Sequence, residues 1–85
     1  STFIEEYYKK TNKKARLYNG PQQLVAFAKH KGDEDAFLFL DEANLSDFQL
    51  NSLTSINRDQ PHLLLNGEYV QLSSKHFVIL TGNPK

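Results

Sequence analysis

Two short polar clusters in this chain have residue types that could do chemistry. Asp41-Glu42 sets two adjacent carboxylates directly after the apolar run Ala36-Phe37-Leu38-Phe39-Leu40, and Thr81-Gly82-Asn83 sets a hydroxyl and an amide directly after Phe77-Val78-Ile79-Leu80. Carboxylates that end an apolar run must stay in water or meet a cation, because burying them unpaired is very costly. Taken alone, Asp41-Glu42 also fits a solvated strand end followed by a helix cap. Neighbouring strand residues point to opposite faces, so the pair is ill suited to glycoside hydrolysis, which needs two carboxylates flanking one bond.

The other chemically capable residues form weaker patterns. His30, His62 and His76 fall on separate elements without metal-ligand spacing. The acidic turn Asp33-Glu34-Asp35 lacks the later ligands of an EF-hand loop. Cysteine is absent, which excludes disulfides and thiolate metal sites. Lys9, Lys10, Lys13, Lys14 and Arg16, with Tyr7, Tyr8 and Tyr18 nearby, have the types that contact nucleic acid, but such a run on a helix is ordinarily a solvated face. Ten basic residues balance ten acidic ones, so the summed charge gives no reason to expect a polyanion. Asn44-Leu45-Ser46 fits a glycosylation sequon and is read as accidental.

The elements that must position the two clusters follow from periodicity. Phe3, Ile4, Tyr7 and Tyr8 fall at helical spacing and predict a helix from Thr2 to about Lys14. Asn19-Gly20 breaks the pattern, and Pro21 suits the first turn of a second helix running to about His30. The run Ala36–Leu40 is too short for a helix and unbroken by polar residues, which suits a strand covered on both faces. Ser46-Asp47-Phe48-Gln49 reads as a capping box opening a third helix that ends near Asn57. Leu63-Leu64-Leu65 and Tyr69-Val70-Gln71-Leu72 flank Asn66-Gly67, the dipeptide that best tolerates a type I′ turn, and predict a β-hairpin. Phe77–Leu80 is a second buried strand.

If the two apolar runs lie in one sheet with a helix between them, their connection is a parallel crossover. Their carboxyl ends then bring Asp41-Glu42 and Thr81-Gly82-Asn83 to one edge, where open α/β sheets bind ligands. The hairpin belongs to the crossover and is expected to project away from the parallel sheet.

At this point a resemblance becomes specific. Phe37-Leu38-Phe39-Leu40-Asp41-Glu42-Ala43-Asn44-Leu45 resembles the Walker B motif of AAA+ ATPases, and its continuation is similar to the branch containing midasin, dynein and the MoxR proteins. Gly20-Pro21 opening a helix before the motif, the hairpin after the third helix, and the strand ending Thr81-Gly82-Asn83-Pro84, which resembles sensor 1, extend the match over residues 19 to 85. The resemblance implies an α/β, partial P-loop NTPase fold with parallel strands, crossover helices and an inserted hairpin. Residues 1–18 would be an N-terminal helical segment and 19–85 the partial core. It also implies roles: Asp41 holding Mg²⁺ through water, Glu42 polarising the water that attacks the γ-phosphate of ATP, Asn83 orienting that water or contacting the phosphate, and Thr81 beside the nucleotide.

The chain departs from the family in one respect. No G-x-x-x-x-G-K-[ST] sequence occurs, so the phosphate-cradling loop and its lysine are missing, and Arg16 and Arg58 match no arginine-finger position. That gap, the absence of methionine and the end at Pro84-Lys85 directly after an apolar strand lead us to expect a piece of a longer protein. The missing first strand would leave one side of Phe77–Leu80 exposed, and the isolated chain is then expected to dimerise or swap through that edge.

Length and composition set the outer bounds. A chain of 85 residues holds one small core, burying about 60 to 65% of its unfolded surface. With 39% hydrophobic and 24% charged residues it has the make-up of a globular domain, and no apolar run reaches the roughly 18 residues of a membrane helix. With no secretory h-region at the start, the expected compartment is the cytoplasm. Two functions of different class fit. One is an ATP-hydrolysing module that remodels a protein or nucleic-acid assembly, working with neighbouring AAA+ subunits or modules; the other is a nucleotide-independent protein-interaction module on the same scaffold.

Overall fold

In the computed structural model, residues 2–47, 53, 59–65 and 67–82 are described. They form a small α/β domain around a three-stranded parallel sheet, with a separate two-stranded hairpin.

Helix α1 (Phe3–Thr11) starts where Thr2 Oγ1 accepts the Glu5 N–H at 3.2 Å, a cap worth about 1 kcal/mol. Glu5 and Glu6 in its first turn and Lys9 and Lys10 in its last complement the helix dipole. It stops at Thr11 rather than Lys14. Asn12 takes a left-handed conformation (φ 59°) and its N–H closes on Tyr8 O at 2.7 Å, while the Lys14 carbonyl accepts the Asp35 N–H at 3.4 Å and so already belongs to the sheet.

Strand β1 (Ala15–Asn19) is absent from the elements that the sequence predicts. It crosses the position between residues 18 and 19 that divides the expected helical segment from the core. Pro21–Gln23 then form a 3-10 turn leading into α2 (Leu24–Ala28), shorter than the predicted helix to His30. Strand β2 (Asp35–Asp41) takes the first apolar run, and a 3-10 turn over Glu42–Asn44 follows it. Strands β3 (His62–Leu65) and β4 (Glu68–Gln71) pair antiparallel across a turn with Gly67 at φ 79°, and β5 (His76–Thr81) takes the second apolar run. The third helix falls mostly outside the described residues, as does Asn66; within its predicted span, Leu53 is buried.

The sheet order is β1-β2-β5, all parallel, with β2 central. Alternation divides β2 between two faces. Ala36, Leu38 and Leu40 join Tyr18, Phe27, Ala28, Leu45, Leu53, Leu63 and Leu72 in one core, with Leu38 fully buried. Phe37 and Phe39 face α1, where Phe3 packs edge-on against both at 5.0 and 5.2 Å and Tyr7 against Phe37 at 5.1 Å. The Tyr7 hydroxyl donates to the buried Asp35 carboxylate, and this bond, more than burial, holds its pKa above the ordinary tyrosine value.

The hairpin keeps its own sheet, as expected, but does not project away from the core. Leu63 and Leu72 are buried within the main cluster and Val70 packs against it. The apolar inner face of the hairpin requires that contact, because a lone two-stranded hairpin is marginal in water.

Candidate functional site

The register of β2 on β5 sets Asp41 opposite Thr81, one strand spacing or about 4.8 Å apart. Both strands run the same way, so the acidic and hydroxyl-bearing ends meet at the carboxyl edge of the sheet. Asp41, Thr81 and Gly82 are exposed there and Glu42 is half-buried, while Leu40 just before them is buried. Asn83 lies outside the described residues, so the structure carries this convergence as far as Gly82.

Local hydrogen bonds hold the edge in shape. Asp41 Oδ1 accepts the Ala43 N–H at 3.0 Å and thereby caps the 3-10 turn that begins with Glu42. Thr81 Oγ1 donates to the Leu40 carbonyl at 3.3 Å, tying β5 to β2 at the last buried residue. Gly82 adopts φ 91°, and a Cβ there would come within 2.7 Å of Asp41 Oδ1. The carboxylate therefore lies directly against the backbone that leads out of β5.

β1 brings a third segment to the same edge, one that the sequence does not announce as functional. The Gly20 N–H donates to the Phe39 carbonyl at 2.9 Å, which seats the Asn19-Gly20 corner two residues short of Asp41 along β2. Gln23 Oε1 accepts the Asn19 N–H and Gln22 Nε2 donates to the Asn19 carbonyl at 3.2 Å, so both amides serve to finish β1. The turn signal Asn19-Gly20-Pro21 marks this corner in the sequence, but as a strand end as much as a helix start.

Two grooves lie elsewhere. One, of about 1000 Å³, runs between the end of α2 and the β4–β5 turn; another, of about 480 Å³, lies between α1 and the start of β1. Neither is lined by Asp41, Glu42 or Thr81. His30 and His76, distant in sequence, meet with ring centres 6.0 Å apart, yet every ring nitrogen of the two already has a protein partner. Among the described residues, no three His, Cys, Asp or Glu side chains gather as metal ligands, and no helix is long and apolar enough to cross a membrane.

No family model, curated protein or solved structure matches this chain.

Proposed function

We propose that this chain is part of the ATP-hydrolysing core of a AAA+ ATPase of the midasin, dynein and MoxR-like branch, with a partial P-loop NTPase fold. The observation that carries this reading is the parallel pairing of β2 with β5, with Asp41 as the register partner of Thr81. A hydrolytic site built from Walker B and sensor 1 needs those two strand ends side by side. The sheet order supports it too: β5 is an outer strand, which leaves a place beside it for the first strand and the phosphate loop that this sequence lacks.

The donor set suits a hard cation. Asp41 is an exposed carboxylate with Oδ1 fixed by the Ala43 N–H, so it can hold Mg²⁺ through water. When bound, the ion neutralises charge on the phosphate oxygens of ATP. Glu42, the first residue of the turn, would polarise the attacking water; Asn83 would orient that water or contact the phosphate, and Thr81 would help to bind the nucleotide. The intact protein supplies the phosphate loop, remodels a protein assembly in the cytoplasm, and draws an arginine finger from a neighbouring AAA+ subunit or module. The test is Glu42→Gln in that intact protein. ATP binding kept while hydrolysis falls about 10²- to 10⁴-fold supports the assignment, and unchanged turnover removes Glu42 from it.

The second reading, a nucleotide-independent protein-interaction module, is favoured by one observation: both grooves lie away from Asp41 and Glu42. It predicts the same assembly function with Glu42→Gln as with Glu42.

A further inference from the structure

At the amino-terminal end of the sheet, far along β5 from Thr81, four rings close a cycle. Tyr18 packs edge-on against Phe27 and His30, both at 5.9 Å; His76 meets Phe27 at 5.1 Å and His30 at 6.0 Å. His76 opens β5, Phe27 belongs to α2 and Tyr18 to β1, so the cycle joins three elements. The hydrogen bonds of His76 fix its protonation. Its Nε2 lies 3.1 Å from the Phe27 carbonyl, which can only accept, so Nε2 carries the proton. Its Nδ1 lies 3.0 Å from the Ser73 N–H, which can only donate, so Nδ1 is a bare lone pair. The Ser73 hydroxyl, which itself accepts the Lys75 N–H at 3.2 Å, adds a second contact to Nδ1 at 3.1 Å.

From this geometry we infer that His76 is a proton-sensitive latch, which ties the β4–β5 turn to the end of α2 when neutral and releases the turn when protonated. A proton on Nδ1 would face the Ser73 N–H, and two donors cannot share that contact. The Ser73 hydroxyl can rotate and become an acceptor; its backbone N–H cannot. The surroundings oppose the charge as well. Lys29, His30 and Lys31 at the end of α2 and Lys75 in the turn line the adjoining groove with Glu68 of β4 as a carboxylate, and Arg16 shares the sheet row of His76 two strands away. Burial first, and repulsion from His30 after it, hold the pKa of His76 below the ordinary 6.5, against an opposing pull from the Phe27 carbonyl. A lowered histidine pKa means that the unfolded chain takes up the proton first. The stabilisation is therefore complete above about pH 6.5 and is lost as pH falls below it, towards the folded pKa. Release frees the turn and the hairpin behind it, while the β2–β5 ladder remains paired. None of this depends on the ATPase assignment.

The test is nuclear magnetic resonance of the 85-residue chain. At about pH 7.5, His76 should show its proton on Nε2 and none on Nδ1. Between about pH 7.5 and about pH 5, the protection factor of the Ser73 amide, corrected for the intrinsic pH dependence of exchange, should fall about fivefold or more while that of Leu38 in β2 holds. His76→Phe should give low Ser73 protection at both pH values, and His30→Phe should keep the wild-type fall. A proton on Nδ1 at neutral pH, or Ser73 protection that ignores pH, overturns the latch; neither measurement needs a variant to fold. A fall that persists in His76→Phe, or disappears in His30→Phe, moves the titration to another group and overturns it equally.

Discussion

Asp41 Oδ1 serves two neighbours at once: it accepts the Ala43 N–H at 3.0 Å, and it fills the space that a side chain on Gly82 would occupy. The end of β2 and the exit from β5 are thereby fitted to each other through one carboxylate oxygen. A residue with a Cβ at position 82 would meet a positive φ and a fixed oxygen together.

Gly82→Ala should consequently destabilise the chain by about 1–3 kcal/mol in urea unfolding, the sum of a left-handed backbone penalty and displacement of the Asp41 cap. The contact with Asp41 can be separated from the backbone penalty by a double-mutant cycle. Asp41→Ala removes the oxygen that the new methyl group at position 82 would strike, so the double variant should be more stable than the two single effects predict, by about 0.5 kcal/mol or more. Strict additivity would mean that the two residues do not compete for the same space.

How much of this edge the sequence disclosed depends on how each strand is written. The apolar runs before Asp41 and Thr81 read plainly as strands, and their parallel pairing follows from the helix-length connection between them. The first is buried as expected, but the second is not, because β5 is an outer strand whose Val78 and Ile79 are half-buried and whose Phe77 and Leu80 are exposed. β1 was hidden for a physical reason. Ala15-Arg16-Leu17-Tyr18-Asn19 has one charged residue and no continuous apolar stretch, since only Ala15 and Tyr18 of this edge strand are buried. It also follows a lysine-rich run that prolongs the helical pattern past Asn12, where a left-handed residue ends the helix. The hairpin was legible from Asn66-Gly67, but its docking was not, because period-two alternation shows that Leu63 faces inward without saying what it faces. The His30–His76 contact was out of reach for the same reason: it depends on the packing of α2 against β5, not on spacing.

On the proposed AAA+ reading, nucleotide affinity should separate this chain from a protein that also carries a phosphate loop. The phosphate loop supplies most of the contacts to the β- and γ-phosphates, and the sequence contains none. Isothermal calorimetry of the 85-residue chain with Mg-ATP should therefore give binding no tighter than about the millimolar range, about 4 kcal/mol. Micromolar binding would point to a nucleotide site away from Asp41, and the groove between α2 and the β4–β5 turn would be the first place to look for it by chemical-shift mapping.

The outer edges of the sheet differ in how they meet solvent. β1 carries Arg16 and follows Lys13-Lys14, and charges of that kind oppose pairing with another chain. β5 spans six residues, His76–Thr81, with no Lys, Arg, Asp, Glu, Pro or Gly among them, and leaves Phe77 40% and Leu80 42% exposed. An uncharged, β-branched outer strand is a template for a further strand. With a formal net charge of zero, long-range repulsion does not keep two copies apart. The isolated chain should therefore self-associate through β5, and sedimentation velocity should detect dimers at about 100 μM or below, a dissociation free energy of about 5 kcal/mol or more. Leu80→Lys places a charge on that edge while its aliphatic stem still covers the neighbouring apolar surface, so it should weaken association about tenfold or more with little loss of fold. Lysine in place of Leu17, on β1, should leave association unchanged. A chain that stays monomeric at that concentration, or a Leu17→Lys variant that dissociates as readily as Leu80→Lys, would show that β5 is not the adhesive edge, and the place beside it would no longer count as support for a missing first strand.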